Sequence, residues 1–207
     1  IYLTQCTTAV VLGTVPDNKQ MSLILTHNIN TKQELLHAVK VAARERMGGF
    51  NSTFFVQAKY ISDYNGEAYL RPYLTDILKL LVGWNMEVGT QGVSANNRFA
   101  NNSVGKGIEK YPDYTPFVQS EKKTYNATLM GETRVAKYLL EKLLGNYEMK
   151  SFRAPDHQIP RSMPQLLQAN SFSYSSSITS DKVLSHLPYR PHYNYHISQE
   201  VETLEFP

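Results

Sequence analysis

The sequence is short of several features that would point to well-known protein classes. A single cysteine, Cys6, excludes an intrachain disulfide bond and a metal cluster built from thiolates. No apolar run approaches the roughly 20 residues that a membrane-spanning helix needs. The net charge of +3 comes from 21 basic and 18 acidic residues spread along the chain, with no basic run that has interleaved aromatic residues. These absences argue against a disulfide scaffold, a membrane span in this chain and nucleic-acid binding.

The chain does have enough apolar sequence for one domain with a sizeable core. It has 207 residues, of which 42% are hydrophobic. We expect an N-terminal lead-in segment over residues 1–20 and one domain over residues 21–207. The chain begins at Ile1 rather than methionine and ends on a strand-like segment. We therefore expect a piece of a longer protein, whose domain lacks its C-terminal closing elements here.

Strand-like and helix-like runs alternate along the chain. Helices are predicted after the capping box at residues 31–34, over residues 70–81 and 132–144, and briefly after Ser162. The predicted strands are residues 21–26, 53–57, 86–89, 150–154 and 172–176. This repetition predicts an α/β fold with a parallel sheet, either open or closed into a barrel. The long polar stretch at about residues 90–130 predicts a functional loop or an insertion.

Polar residues follow the predicted strands, where ligands bind in parallel α/β folds. These residues are Asn28, Asn30, Gln91, Arg153 and Ser175. Taken alone, Asn28 and Asn30 also suit ordinary turn and capping chemistry, and Arg153 could be a surface charge.

Short runs in a fixed order carry a family resemblance. They are LTHNIN at 25–30, STFFV at 52–56, EVGTQGVSA at 87–95, SFRAP at 151–155, FSYSSS at 172–177 and LEFP at 204–207. They resemble the L-T-H-D-V-D, A-T-F-F-V, E-V-G-x-H-x-x-x-H, F-R-x-P, G-F-x-Y-D-S-S and E-I-P motifs of the polysaccharide deacetylases. This family is also called the NodB homology or carbohydrate esterase 4 family. The resemblance covers the chain from about residue 21 onward and implies an incomplete, distorted (β/α) barrel.

The resemblance also implies where a catalytic site would lie, and this sequence departs from the family there. In the family, one Asp is the catalytic base, while a second Asp and two His hold a divalent metal, usually zinc. The base position is Asn28, and the metal-ligand positions are Asn30, Gln91 and Ala95. Arg153 matches the arginine that orients the base. Facing Asn28, it could instead hold an acidic group of a ligand or pair with Asp156.

Chemistry predicts that these replacements remove the metal and the base. Zinc prefers thiolate, imidazole and carboxylate ligands, whereas amide oxygens are weak ligands and a methyl group offers none. A catalytic metal lowers the pKa of its bound water from about 15.7 to about 7, which lowers the free energy of forming hydroxide by on the order of 12 kcal/mol. We therefore expect no cofactor and an impaired or inactive enzyme.

Three functions remain open from the sequence. The first is a deacetylase-like domain of carbohydrate metabolism, impaired or inactive, that retains a cleft for polysaccharide or oligosaccharide. Its binding residues would be Asn30, Gln91, Arg153 and Tyr174. The second is an active hydrolase that removes N- or O-acetyl groups with zinc or another divalent metal held by non-standard ligands. The third is a protein–protein interaction domain. Family analogy places the protein outside the cell or in the cell envelope.

Other residues suggest weaker hypotheses. His27 is predicted to be a core histidine rather than a ligand. A metal site built from His157, His192 and His196 is not favoured, because the sequence around His192 and His196 is loop-like. Tyr111, Tyr114 and Tyr125 are candidates for lining a sugar-binding groove.

Overall fold

Six parallel strands form one curled sheet, which the helices cover. The computed structural model describes residues 23–59, 72–94, 98–120, 123–179, 188–196 and 199–207. The strands are β1 (Leu25–Ile29), β2 (Ser52–Lys59), β3 (Glu87–Ser94), β4 (Phe117–Ser120), β5 (Lys123–Tyr125), β6 (Ser151–Phe152), β7 (Tyr174–Ser175) and β8 (Leu204–Glu205). The helices are α1 (Lys32–Met47), α2 (Pro72–Gly83), α3 (Leu129–Leu144) and α4 (Met163–Ala169).

The main sheet has the strand order β1-β2-β3-β6-β7-β8, and every adjacent pair in it is parallel. The strands β4 and β5 form a separate antiparallel pair. The six strands curl into a half-barrel, which confirms the predicted incomplete (β/α) barrel. Because the strands are parallel, their carboxyl ends lie at one edge of the sheet, where the predicted site residues were expected.

The helix α1 begins where the sequence predicts it. The Thr31 hydroxyl accepts a hydrogen bond from the Glu34 backbone N–H at 3.2 Å, and the Glu34 carboxylate accepts from the backbone N–H groups of Thr31 and Asn30. This capping box fixes the chain directly after β1. On this helix Leu35, Ala38 and Ala42 are buried, whereas Leu36 and Met47 are 50% and 82% exposed.

The strand β3 lies between β2 and β6 and is buried along most of its length. At its centre, a Cβ on Gly89 would lie 2.8 Å from the Phe55 ring and 2.8 Å from Ser151 Oγ. Only glycine therefore fits between the neighbouring side chains. The prediction for β3 was too short, since the strand continues to Ser94 and includes Gln91, which the sequence placed in a loop.

The predicted long loop at about residues 90–130 contains more structure than expected. Its described part includes the end of β3, a 3₁₀ helix at Phe99–Asn101 and the β4–β5 pair. The predicted lead-in segment, residues 1–20, and the metal-ligand position Ala95 lie outside the described residues. Among the described helices, none has the length and apolar character that crossing a membrane requires.

Candidate functional site

Arg153 lies at the centre of the candidate site, where it contacts β1 and the segment after β7. It directly follows β6, and its backbone N–H donates to the carbonyl of Thr90 on β3 at 2.9 Å. Its Nη1 donates to Asn28 Oδ1 at 3.1 Å, and its Nη2 donates to Thr26 Oγ1 at 2.9 Å. Nη2 also donates to Ser176 Oγ at 2.7 Å, and Nε donates to the Ser176 carbonyl at 2.9 Å. The structure thus brings together Asn28 and Arg153, which lie 125 residues apart in sequence.

The Arg153 guanidinium is a buried cation with neutral hydrogen-bond partners. It is 7% exposed, and its Cζ lies 4.3 Å from the centre of the Phe55 ring. Burial lowers the pKa of Arg153 to about 10, and the Glu205 carboxylate opposes that change. Arg153 is therefore charged at neutral pH. The suggested partner Asp156 is exposed and makes no ion pair with Arg153 among the described residues.

Asn30 and Gln91 form an amide pair at two of the predicted metal-ligand positions. Gln91 Nε2 donates to Asn30 Oδ1 at 2.9 Å and to the Phe55 carbonyl at 3.0 Å. Both acceptors are oxygens, so the two amide hydrogens of Gln91 are used inside the protein. Gln91 is 2% exposed. It therefore links the end of β1 to β2 and β3, and these donors are not available to a ligand.

The residues at these positions do not fit a zinc ion. Asn30 and Gln91 present neutral amides that bond to each other, and alanine at position 95 has no donor atom. In the described ranges, no group of three or more His, Cys, Asp or Glu side chains could hold a metal ion. A zinc site needs anionic or imidazole ligands, so the donor set is wrong in kind as well as in number.

Two adjoining cavities lie along the concave side of the half-barrel. The larger, of about 320 Å³, is lined by Ile24, Thr26, Arg153, His157, Ser176, Ile178, Thr179, Phe206 and Pro207. The smaller, of about 190 Å³, is lined by Ile24, Thr26, Thr53, Phe55, Glu87, Ser151, Tyr174, Ser175, Ser176 and Phe206. Ile24 precedes the first strand of the sheet and Phe206 follows the last, so the two sheet edges face each other across the cavities.

Tyr174 and Glu87 belong to the smaller cavity. Tyr174 is 39% exposed, and its ring meets the Phe206 ring edge-on with centroids 5.9 Å apart. The Glu87 carboxylate accepts hydrogen bonds from the Thr53 hydroxyl at 2.8 Å and the Ser151 hydroxyl at 2.6 Å. The cavity therefore combines an aromatic edge with a hydrogen-bonded carboxylate, which are groups that can contact a sugar.

Sequence reasoning missed Thr26 and Ser176 as site residues, and it considered His157 only as a metal ligand. Thr26 could have been found from Asn28, because residues two apart on a strand share one face. His157 was not predictable, because its position depends on a left-handed turn in which Asp156 has φ 51° and His157 has φ 53°. Such conformations are costly for these residues and persist where surrounding contacts enforce them. Here His157 Nδ1 lies 3.3 Å from the Ser177 carbonyl.

A buried carboxyl group supports the end of β3. Glu132, on α3, accepts from the Ser94 backbone N–H at 2.7 Å and from the Tyr114 hydroxyl at 2.8 Å. Burial raises the pKa of Glu132 to about 7, although these hydrogen bonds oppose the change. Tyr114 is itself buried, so its predicted place in an open groove was wrong.

The remaining predicted residues lie apart from this site. His27 stacks on Phe54 with centroids 4.8 Å apart, and its Nε2 lies 2.7 Å from Glu45 Oε1. His192 lies 3.8 Å from a Glu200 oxygen. Tyr111 stacks on Tyr138 at the surface, with ring centroids 6.2 Å apart, and Tyr125 is exposed.

Comparisons with known proteins show the fold. No family model and no curated protein matches the sequence. A solved structure from Mycobacterium smegmatis, assigned as a polysaccharide deacetylase, is 14% identical with a TM-score of 0.57, over 93% of this chain and 60% of that one. The Streptococcus pyogenes deacetylase PplD, in complex with acetate, is 12% identical with a TM-score of 0.50, over 72% and 52%. A Bacillus anthracis pseudoenzyme of carbohydrate esterase family 4 is 12% identical with a TM-score of 0.49, over 73% and 41%.

This chain spans between 41% and 60% of the length of those three structures. Identities this low establish a shared fold and leave chemistry to be argued from the site itself. The predicted resemblance is confirmed at the level of the fold.

Proposed function

Proceeding from the polysaccharide deacetylase fold, we propose that this chain is a carbohydrate-binding domain that has lost deacetylase chemistry. The observation that carries the proposal is the pair of amide contacts at the old catalytic positions. Asn28 bonds to Arg153, and Asn30 bonds to Gln91. In each contact, a neutral amide stands at a position where the family has an acidic group.

The proposed loss of the catalytic base rests on the amide group of Asn28, which contacts Arg153. A carboxylate beside Arg153 would be an ion pair that could accept a proton from water, whereas the amide oxygen of Asn28 cannot act as a general base near neutral pH. The hydrogen bond from Arg153 to residue 28 can therefore form although Asn28 does not accept a proton from water. Among the described residues, no donor set fits zinc, which is the second requirement of the family's hydrolytic mechanism.

The retained concave cavities support sugar binding. Hydroxyl groups of Thr26 and Ser176 and the exposed edge of Tyr174 face this space. Hydroxyl donors and aromatic faces are the groups with which proteins hold polar, flat ligands such as sugar rings. We propose a polysaccharide or oligosaccharide partner, and family analogy adds an extracellular or envelope location within a longer protein.

A paired binding and activity assay tests this function. The purified chain is screened by isothermal titration calorimetry against acetylated and deacetylated chitooligosaccharides and other soluble glycans. In parallel, acetate release from the acetylated substrates is measured with added zinc, cobalt or nickel. We expect binding of at least one glycan and no acetate release above the protein-free control.

Two outcomes would contradict the proposal in different ways. Acetate release with an added metal would support the alternative of an active hydrolase with non-standard ligands. Failure to bind any glycan would remove the carbohydrate-binding function and favour a protein–protein interaction domain. The control is Asn51→Asp, which adds a charge at an exposed position before β2 and should leave glycan binding unchanged.

A further inference from the structure

We propose that the cavity beside Arg153 is an anion-binding site, and that the saccharide this domain binds carries a carboxylate. This inference deepens the proposed carbohydrate-binding function and rests on it. It begins from an arginine whose direct hydrogen-bond partners are all neutral. Replacement of the family's catalytic acid by Asn28 leaves Arg153 in the wall of the larger cavity beside neutral partners.

The charge of Arg153 is not neutralised by direct contact in the described structure. Its four hydrogen bonds go to Asn28, Thr26 and twice to Ser176, all of which are neutral acceptors. Glu205 acts on Arg153 through space, but one of its oxygens accepts from the backbone N–H groups of Ser177 and Ile178. Buried charges are normally paired, so an arginine in this position favours an anionic ligand.

The two hydroxyl groups that accept hydrogen bonds from Arg153 can themselves donate to a ligand, and both line the larger cavity. Thr26 Oγ1 and Ser176 Oγ each accept a hydrogen bond from Arg153 Nη2. Their own hydroxyl hydrogens are therefore available, and neither donates to a protein acceptor within the described ranges. A guanidinium has five N–H groups, and one on Nη1 remains beyond the four that are used. The cation and the two hydroxyl donors thus lie in the lining of one cavity.

The larger cavity has the size and lining for such a group. Its volume of about 320 Å³ is at the lower end of the range of about 300–1,000 Å³ that small-ligand sites occupy. Its described lining contains Arg153 and His157, together with hydroxyl and apolar side chains, and no Asp or Glu side chain. An anion entering it would meet the guanidinium without direct competition from an acidic side chain in that lining.

A carboxylate suits the site better than a phosphate. A carboxylate carries one negative charge and matches the single charge of Arg153, with which it can make charge-assisted hydrogen bonds. A phosphate monoester carries about −1.5 to −2 at neutral pH, which is more negative charge than the single guanidinium of Arg153 can offset. We therefore assign a carboxylate-bearing sugar, of the uronic acid type, as the ligand class.

The test compares one saccharide in charged and neutral forms. Trigalacturonic acid and its fully methyl-esterified form are titrated into the purified chain by calorimetry. We expect the acid to bind at least about tenfold more tightly, which corresponds to about 1.4 kcal/mol, because only the acid can make charge-assisted hydrogen bonds to Arg153. The preference should shrink as salt concentration rises.

Two variants locate the effect. Asn28→Asp gives Arg153 an acidic partner from the protein itself. This partner competes with a ligand carboxylate, so the ratio of the affinities for the acid and the ester should fall to near one. This variant restores an acidic partner rather than deleting a buried side chain, which protects the fold. Asn51→Asp adds the same charge at an exposed position before β2 and should keep the wild-type ratio.

Each result bears on a different claim. Equal binding of acid and ester by the wild type would overturn the anion site and leave the carbohydrate-binding function standing. Binding of neither form, together with no hit in the glycan screen, would overturn both. Tighter binding of galactose 6-phosphate than of galacturonic acid would overturn the carboxylate assignment, as would an unchanged ratio in Asn28→Asp.

Discussion

Replacing Glu132 with glutamine removes a buried titrating group that holds the end of β3 next to the site. Glutamine resembles the protonated carboxyl group, because its oxygen can accept from the Ser94 N–H while its amide donates to Tyr114 Oη. The Tyr114 hydroxyl can then donate to the Thr128 carbonyl, which lies 3.4 Å away. The variant should therefore fold like the wild type with a neutral Glu132.

The pH dependence follows from the raised pKa of Glu132. Burial raises the pKa from its ordinary value of 4.5 to about 7, so the folded protein keeps a proton that the unfolded chain has released. The stability that this proton provides is fully present below pH 4.5 and is lost as pH rises to about 7. At about 1.36 kcal/mol for each pH unit in that window, the loss amounts to ~3 kcal/mol.

Urea unfolding of both proteins across this window measures the effect. Below pH 4.5 the wild type and Glu132→Gln should have similar free energies of unfolding, and above pH 7 the variant should be more stable by ~3 kcal/mol. Burial also raises the pKa of Glu205, but that group is present in both proteins and cancels in the comparison. A difference between the two proteins that does not change with pH would refute the assignment of a buried, titrating Glu132.

Two further variants probe the same region. Tyr114→Phe removes a hydrogen bond to the charged form of Glu132, so it should lower the free energy of unfolding by about 2 kcal/mol above pH 7 and by less at low pH. An equal loss at both pH values in urea unfolding would contradict this. Gly89→Ala places a Cβ 2.8 Å from the Phe55 ring and should lower the free energy of unfolding by about 1–3 kcal/mol. The control Gly83→Ala has open space around its Cβ, and an equally large loss there would show that Gly89 is not a packing constraint.

Local signals in the sequence predicted the fold well. The capping box at Thr31 and Glu34 placed α1, and the alternation of strand and helix patterns predicted a parallel sheet. These features depend on residues close together in the chain. The motif order then predicted the incomplete barrel.

The contacts within the site could not be predicted from local sequence patterns, because they depend on the strand order and on side-chain packing. The contact between Asn28 and Arg153 joins residues 125 apart, and periodicity alone does not reveal such a pairing. The extension of β3 through Gln91 was missed, because Gly92 has φ 103° and the β2–β3 register shifts nearby, which hides the strand pattern in a polar run. The burial of Tyr114 was missed, because its partner Glu132 lies on a helix and nothing local marks the pair.

The proposed function depends on two amide contacts at the site. Arg153 donates a hydrogen bond to Asn28, and Gln91 donates one to Asn30. Arg153 also lies in the wall of the larger cavity. We propose that such a site binds carbohydrate without hydrolysing it.

Zinc titration of the purified chain, followed by calorimetry at neutral pH, tests the proposed loss of the metal site most directly. The comparison protein carries Asn28→Asp, Asn30→Asp, Gln91→His and Ala95→His, which restores the family's base and ligand types. We predict no stoichiometric zinc binding by the wild type and binding of one zinc ion by the restored variant. Stoichiometric zinc binding by the wild type would contradict the claim that these positions have lost their metal.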